Sequence, residues 1–398
     1  MNIKKYISKL KQLIFKNYKK RKKEKETTLI NQILEEAKVE PNTILFESEG
    51  DFADNARALY EYMISKNMNE KYKIIWIVDD PNLYEKKHNV HFISRKYNNK
   101  KDLIKFYSTV GSAKYLFFTH PYWYHKRNKE QIIVNLWHAI PFKGKGRDLH
   151  DIFDYIIVPS DFSKSLFHDF VGSVEAQYII CGYPRNDLLF QKTNSIEKII
   201  DIKNKPKIII CMTTFKQSTY MKDSEIIYPY VLPFITNKTE IFELNEELKA
   251  KNIKLIIKIH HLQKTELLNK INLSNIIYLE DKDLIKKDLQ LYEIIGQTDA
   301  LITDYSSIMF DYMLIDKLIA YFVNDLEDYK KNRGFLVDNL DDYMIGDKML
   351  SKNDFDNFIS NVKNNKDKYK EQRAKFVKKM FKYKKDNCQR LLDILKIK

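Results

Sequence analysis

The sequence predicts an α/β protein made of two doubly wound halves with a cleft between them. From residue 43 onward, short apolar runs of strand length alternate with helical patterns. This alternation is typical of βαβ units and a mostly parallel sheet. The rhythm is interrupted by a polar, lysine-rich stretch over residues 191–205, and 398 residues exceed what one core usually supports. We therefore expect two Rossmann-like domains joined near residue 195.

The elements follow in order along each half. In the first half, strands are predicted over residues 43–46, 73–78, 91–93, 115–118, 131–136, 155–158 and 178–180, and helices over 54–65, 101–108 and 162–170. In the second half, strands are predicted over residues 207–211, 255–259, 276–279, 300–302 and 318–323, and helices over 240–251, 292–296 and 307–315. Residues 352–398 are charged and predicted to be helical. The predicted domains are residues 1–26, a basic amphipathic helix; 27–195, an N-terminal Rossmann-like domain; 196–375, a C-terminal Rossmann-like domain; and 376–398, a basic helix.

The first 26 residues combine an apolar stripe with a lysine-rich face. The apolar positions recur at helical spacing and are Ile3, Tyr6, Ile7, Leu10, Leu13, Ile14 and Tyr18. A helix of this kind favours the interface of an anionic membrane, and a solvated helix packed on the domain is the alternative. The net charge of +15 also indicates an anionic partner. We expect no nucleic-acid partner, because no base-stacking aromatics are interleaved with these lysines.

Several function classes lack their signatures. No apolar run reaches 18 residues, and the N-terminus has no pattern of a secretory signal. The three cysteines are far apart, which fits a reducing cytosol and no disulfide framework. No G-x-S-x-G, G-x-G-x-x-G or Walker-type sequence is present. The spacing of His, Cys and carboxylate residues does not indicate zinc, so we expect neither a metal site nor a required cofactor.

Polar side chains gather directly after the predicted strands, where ligands bind in open α/β sheets. In the first half these are Glu47, Ser48, His120, His138, Lys143, Arg185, Asn186 and Asp187, and in the second half Thr213, Thr214, Lys216, Lys258, His260, His261 and residues 303–307. His138 is a candidate general base, because imidazole titrates near neutral pH; a structural histidine is the alternative.

The stretch over residues 303–311 is the second candidate. An apolar strand over residues 300–302 is followed by Ser306 and Ser307, with Asp311 near the first turn of the next helix. Free backbone N–H groups and the helix dipole make such a start an anion site. The alternative is an ordinary serine cap.

Five ordered blocks together resemble the CDP-glycerol glycerophosphotransferase family, over roughly residues 43–340. The blocks contain Phe46-Glu47-Ser48, Trp137-His138-x-x-Pro141-x-Lys143, Gly182-Tyr183-Pro184-Arg185-Asn186-Asp187, Lys258-Ile259-His260, and Thr303-Asp304-Tyr305-Ser306-Ser307 continuing to Phe310-Asp311 and Arg333-Gly334-Phe335. This family comprises polymerases and primases of wall teichoic acid and related capsule enzymes.

The resemblance implies a two-domain, glycosyltransferase-B-like fold, with the acceptor domain over residues 27–195 and the CDP-donor domain over residues 196–375. It also implies transfer of glycerol phosphate, or ribitol phosphate, from a CDP-activated donor to a hydroxyl of a polyprenyl-diphosphate-linked saccharide, with release of CMP. By position, His138 and His260 match the family's catalytic histidines, and Ser307 and Asp311 match donor-associated residues. A peripheral place on the cytoplasmic face of the bacterial membrane would suit such an acceptor.

These observations give one hypothesis for each site residue. His138 accepts the proton of the attacking hydroxyl, and His260 hydrogen-bonds the transferred phosphoryl group. The predicted donor-binding residues are Ser306, Ser307, Asp311, Thr214, Lys216, Lys258 and Arg333, and the predicted acceptor-side residues are Glu47, Lys143, Arg185, Asn186 and Asp187. A nucleotide-sugar glycosyltransferase and an inactive membrane scaffold are the alternative functions.

Overall fold

The computed structural model describes residues 20, 23–120, 127–144, 152–172, 175–214, 228–259 and 271–398. The chain divides into two compact units. The first unit comprises Met1–Trp137, His150–Ile156 and Glu175–Gln177, and the second comprises His138–Leu149, Ile157–Val174 and Tyr178–Lys398. The four-part domain division predicted from the sequence stays a prediction.

The strands form two parallel sheets. Their bounds are β1 Glu40–Glu47, β2 Lys73–Val78, β3 Val90–Ser94, β4 Ala113–Phe118, β5 Ile132–Asn135, β6 Tyr155–Val158, β7 Gln177–Ile180, β8 Lys207–Met212, β9 Ile253–Lys258, β10 Ile276–Leu279, β11 Ala300–Thr303, β12 Leu318–Phe322 and β13 Asp347–Met349. The first sheet has the order β3-β2-β1-β4-β5-β6-β7, and the second has β10-β9-β8-β11-β12-β13. Both orders reverse beside their first strand, as in doubly wound folds. The predicted α/β fold class is confirmed.

Helices connect the strands. Their bounds are α1 over residues 23–36, α2 Asp54–Ser65, α3 Lys100–Ser112, α4 Asp161–Val171, α5 Lys238–Ala250, α6 Asp281–Lys286, α7 Leu291–Gly296, α8 Ile308–Met313, α9 Leu326–Asn332, α10 Lys352–Lys363, α11 Lys370–Met380 and α12 Asn387–Ile394. A 3₁₀ helix over Pro184–Phe190 was not predicted. None of the helices in the described ranges is long and apolar enough to cross a membrane. The predicted amphipathic helix over residues 1–26 lies mostly outside the described residues.

An aromatic row forms the core of the first unit. Phe46 on β1 is in register with Trp76 on β2 and Phe117 on β4. The ring of Phe46 stacks on the other two with centroid distances of 5.2 and 5.1 Å, and all three rings are fully buried. Stacked aromatic pairs contribute about 0.5–1.5 kcal/mol beyond the area that they bury. The row therefore fixes the end of β1, from which the side chain of Glu47 projects.

Continuous aliphatic strands form the core of the second unit. Ile209, Ile257 and Ile302 lie on three neighbouring strands and are fully buried, and the core continues into α5 and α10. Strands covered by helices on both faces carry uninterrupted apolar runs, which is the pattern by which they were recognised in the sequence. This core holds the strand ends at which the second-half candidates lie.

Candidate functional site

The second-unit candidates follow strands that are neighbours in one sheet. Strands β9, β8, β11 and β12 are adjacent and parallel, so their carboxyl ends share one edge. Lys258, Thr214 and Ser306 lie at or just beyond three of these ends. Lys216 and His260 lie outside the described residues.

Thr214 joins two loops at this edge. Its backbone N–H donates to Asp304 at 2.9 and 3.0 Å, and its hydroxyl donates to the same carboxylate at 2.6 Å. Both residues are buried. These contacts hold the segment after β8 against the segment after β11, so Asp304, one of the strand-end candidates over residues 303–307, has a structural role.

Lys258 is also engaged within the protein. Its ammonium group donates to the carbonyl of Ile259 at 2.8 Å and pairs with Asp281 at 2.8 Å. The lysine is buried, whereas Asp281, in the first turn of α6, is half exposed. A buried ammonium group needs such partners to remain charged.

Ser306 and Ser307 lie at the start of α8. Ser307 occupies the N-cap position of α8 with helical angles, φ −64° and ψ −9°, and its side chain makes no capping bond. Both serines are half-buried, and within the described ranges neither hydroxyl has a hydrogen-bond partner. The alternative of an ordinary serine cap therefore does not hold for Ser307, and among the described residues nothing occupies the two hydroxyls at the start of α8.

A buried polar network lies on the same helix. The Asp311 carboxylate accepts hydrogen bonds from Arg185 Nη2 at 2.7 Å, Asn186 Nδ2 at 3.2 Å and Tyr292 Oη at 2.5 Å. The second guanidinium nitrogen of Arg185, Nη1, donates to the backbone carbonyl of His138 at 2.6 Å. The structure thus brings together four predicted site residues from three separate stretches of sequence. Tyr292 was missed, because a tyrosine in a short apolar helix gives no sequence signal.

The backbone preceding His138 is strained. Trp137 has φ +46°, in the left-handed region that non-glycine residues seldom adopt. Within the first unit its N–H donates to Asn135 Oδ1 at 2.7 Å, and its carbonyl accepts from Asn55 Nδ2 at 2.9 Å. In the second unit, the hydroxyl of Tyr183 donates to the carbonyl of Ala139 at 3.0 Å. Side chains therefore hold the carbonyls of three consecutive residues, 137–139, and so define the backbone position of the half-buried His138.

Lys143 and Arg333 lie next to a short antiparallel pairing. Lys143 bridges Phe335, and the N–H of Gly144 donates to the carbonyl of Gly334 at 2.9 Å. Gly144 has φ +82°, and a Cβ there would lie 2.9 Å from Nε of Arg333. That nitrogen is buried and has no hydrogen-bond partner within the described ranges. The guanidinium group of Arg333 therefore lies beside Gly144, the residue that follows Lys143.

Glu47 belongs to a charged cluster in the first unit. Its buried carboxylate accepts from Arg95 Nε at 2.9 Å, and His120 Nε2 lies 3.8 Å from its other oxygen. Arg95 also pairs with Asp79 at 2.6 Å. Burial is the largest single effect and opposes the charge on Arg95, but the carboxylates of Glu47, Asp79 and Asp51 together outweigh it, and the pKa of Arg95 is raised. Arg95 follows β3, a strand that the sequence predicted only weakly.

Asp187 caps the last helix. Its carboxylate accepts the backbone N–H groups of Asn387 and Cys388 at 3.0 and 2.9 Å. Burial raises the pKa of Asp187, against the opposing effect of these two bonds. This residue therefore joins the 3₁₀ helix to α12, and its predicted place on the acceptor side stays a prediction.

A metal centre is not built from the described side chains. No group of three His, Cys, Asp or Glu residues in those ranges is arranged to hold an ion. The sequence-based expectation that no metal or other cofactor is required stays a prediction, because residues 215–227 and 260–270 are not described.

Comparison with known proteins decides the family. The family model of CDP-glycerol:poly(glycerophosphate) glycerophosphotransferases matches residues 29–395. The chain belongs to this family. With that membership, the predicted enzyme class, a CDP-glycerol phosphotransferase type, is confirmed.

The individual relatives are similar to this chain at low sequence identity. A teichoic acid poly(glycerol phosphate) polymerase of Staphylococcus epidermidis is 26% identical over 82% of this chain, which spans only 46% of that protein. A teichoic acid glycerol-phosphate transferase of Staphylococcus aureus is 27% identical over 75% of this chain and 78% of its own length. A structure of the wall teichoic acid polymerase TagF superposes with a TM-score of 0.71 at 22% identity, covering 100% of this chain and 98% of that one. This similarity confirms the glycosyltransferase-B-like fold.

Proposed function

We propose that this protein transfers glycerol phosphate, or another polyol phosphate, from a CDP-activated donor to a hydroxyl of a lipid-linked acceptor in teichoic acid or capsule synthesis. Family membership and the names of the relatives support the reaction class. The observation that carries the proposal is the Arg185 bridge. One guanidinium group contacts both the His138 backbone and Asp311 of α8, so the candidate base and the helix that begins at Ser307 belong to one assembly.

The chemistry follows from this arrangement. The acceptor oxygen attacks the phosphorus that carries the polyol, the bond from that phosphorus to the CMP oxygen breaks, and CMP leaves with the electron pair. His138 takes the proton of the attacking hydroxyl, which contributes about 10²–10⁴-fold to the rate. The hydroxyls of Ser306 and Ser307 bind the donor diphosphate, because charge stabilisation and alignment dominate phosphoryl transfer.

The remaining cations have supporting roles in the proposal. Arg333 and Lys143, which both lie next to the antiparallel pairing, supply positive charge for phosphate groups. Lys258 stabilises phosphate charge without direct contact, since its ammonium group is buried and paired with Asp281. We propose that Lys216 and His260 complete the donor site, on the basis of the family motif alone.

CMP release tests the proposal directly. Purified protein is incubated with CDP-glycerol or CDP-ribitol, a polyprenyl-diphosphate-linked saccharide acceptor, and either Mg²⁺ or EDTA. We expect CMP and an acceptor heavier by one or more polyol phosphates, in EDTA as well as in Mg²⁺. His138→Ala should lower kcat about 10²–10⁴-fold, whereas His168→Ala, on the exposed face of α4, should not. Absence of CMP from both donors, beside an active relative as control, would reject the proposal.

We further propose that the protein acts as a peripheral protein on the cytoplasmic face of the membrane. The C-terminal helices support this. Lys375, Lys378 and Lys379 follow helical i, i+3, i+4 spacing on α11, are exposed, and pair with no carboxylate in the described ranges. Lys379 also lies over the ring of Phe162, 3.9 Å from its centre. A face of lysines without carboxylate partners attracts anionic lipid headgroups.

A further inference from the structure

The proposed chemistry makes no direct use of the hydrogen-bond network around Asp311. Its members Asp311, Arg185, Asn186 and Tyr292 are all at least nine-tenths buried. Three hydrogen-bond donors converge on one carboxylate, and two of them share a single oxygen. Such convergence leaves Asp311 little capacity for a ligand, and its exposure of 1% gives a ligand no access.

Arg185 transmits the geometry of this network to the His138 backbone. A guanidinium group is planar, and its N–H groups form a rigid fork. One branch is fixed by Asp311 at 2.7 Å, and the other donates to the His138 carbonyl at 2.6 Å. The guanidinium carbon also lies 4.7 Å from the centre of the Tyr292 ring. Tyr292 therefore constrains the fork directly through its ring and indirectly through the hydrogen bond from its hydroxyl to Asp311.

We propose that Tyr292 and Asp311 are positioning residues that set the location of the His138 imidazole through Arg185. They touch neither donor nor acceptor. Their removal allows the guanidinium group to rotate, and the peptide of His138 moves with it. This assigns Asp311 a different role from the donor contact expected from the sequence. The inference rests on the proposed function, in which His138 accepts a proton.

The chain offers a matched control for Tyr292. Tyr312 is the residue after Asp311 on α8, and it is also buried. Its hydroxyl shares a 2.9 Å hydrogen bond with Thr298 and takes no part in the Asp311 network. Tyr292→Phe and Tyr312→Phe therefore each delete one buried, hydrogen-bonded hydroxyl, but only the first deletion reaches Arg185.

Turnover and donor affinity separate positioning from binding. We expect Tyr292→Phe to lower kcat about tenfold to a hundredfold, because small misplacement of a reacting group is costly. Its Kd for CDP-glycerol, from titration calorimetry, should stay within twofold of wild type. Tyr312→Phe should lose a similar amount of thermal stability but keep wild-type kcat. Asp311→Asn should behave as Tyr292→Phe does; a weakened donor Kd with unchanged kcat would instead assign Asp311 to the donor site and overturn the proposal.

A second measurement does not depend on activity. In protein labelled with ¹⁵N-histidine, the His138 imidazole signal is assigned by its loss in His138→Gln. We expect this signal to shift in Tyr292→Phe and to stay in place in Tyr312→Phe. If wild type releases no CMP, the proposed function fails, and an unshifted signal in Tyr292→Phe then rejects the positioning role as well. If wild type is active, equal kcat values in the two tyrosine variants reject the positioning role alone.

Discussion

Ser307 shows how a single side chain distinguishes a ligand site from a structural cap. Ser160, before α4, forms a reciprocal capping box with Ser163, its hydroxyl accepting the Ser163 N–H at 3.1 Å. Ser307 stands at the corresponding position of α8 and makes no such bond. The same residue type therefore stabilises one helix directly, whereas at the other its hydroxyl has no partner in the part of the chain that the structure describes.

This contrast gives a residue-scale prediction. Ser160→Ala should lower the free energy of unfolding by about 0.5–2 kcal/mol, as loss of a cap does. Ser307→Ala should change it by less than about 0.5 kcal/mol but raise the Kd for CDP-glycerol about tenfold or more, since a hydrogen bond to a charged group contributes about 1.5–3 kcal/mol. Urea denaturation and calorimetry measure the two quantities. An unchanged Kd in Ser307→Ala would remove this serine from the donor site.

At the same scale, the sequence indicated which residues lie close together but not which hydrogen bonds they make. His138, Arg185, Asn186 and Asp311 were all selected, and the structure connects them. One of the three hydrogen bonds to the Asp311 carboxylate comes from Tyr292, whose position is set by tertiary packing. Strand-end position predicts proximity to a site, but it does not predict which side chains face inward.

Among the elements, α11 carries a charged face whose function is open to test. Lys375 and Lys378 lie one turn apart on it, whereas Lys249 and Lys282 each lie near a carboxylate, Glu246 at 3.6 Å and Glu280 at 2.8 Å. A lysine without a carboxylate partner is attracted to an anionic surface at its full charge, and each such lysine contributes about 1 kcal/mol near the surface. Paired charges are partly neutralised before the surface is reached.

The resulting prediction compares two double variants of equal net charge. Lys375→Gln/Lys378→Gln should weaken binding to phosphatidylglycerol vesicles by about 2 kcal/mol, roughly thirtyfold. Lys249→Gln/Lys282→Gln should change it by less than threefold. Sedimentation with vesicles at low salt measures both, and phosphatidylcholine vesicles serve as the uncharged reference. Equal losses in the two variants would indicate a general charge effect and exclude α11 as the membrane-facing element.

Regular elements with strong periodicity were predictable, and irregular ones were not. The aliphatic strands β8, β9 and β11 were found with nearly their observed bounds because both faces are buried. The 3₁₀ helix over Pro184–Phe190 and the three-residue β13 were missed, since neither is long enough to show a period. The 3₁₀ helix matters most, because it carries Arg185.

For the whole molecule, both sheets repeat the same strand order around their first strand, which explains why two similar alternating halves were visible in the sequence. The division near residue 195 was inferred from composition alone. In the structure, the second compact unit also includes His138–Leu149 and Ile157–Val174, and the division predicted from the sequence stays a prediction. Composition carries no information on such assignments, because they depend on contacts between residues far apart in the chain.

The three cysteines provide a probe of global unfolding. Cys181, Cys211 and Cys388 are free, buried, and all belong to the second unit. Burial raises the pKa of each thiol well above its ordinary value near 8.5. At pH 8 the native protein therefore holds less thiolate than an unfolded chain does, and a thiol reagent such as Ellman's reagent cannot reach the buried sulfur atoms.

We accordingly expect native protein at pH 8 to show no thiol that reacts with Ellman's reagent within minutes, and three that react at once in 6 M guanidinium chloride. Raising the pH to 9 should accelerate labelling of the unfolded protein, whose thiols titrate near 8.5, while native labelling stays limited by opening. Labelling followed at intermediate denaturant then reports cooperative opening of the second unit. A thiol that reacts rapidly in the native protein would contradict the burial described here, and replacing each cysteine with serine in turn would identify it.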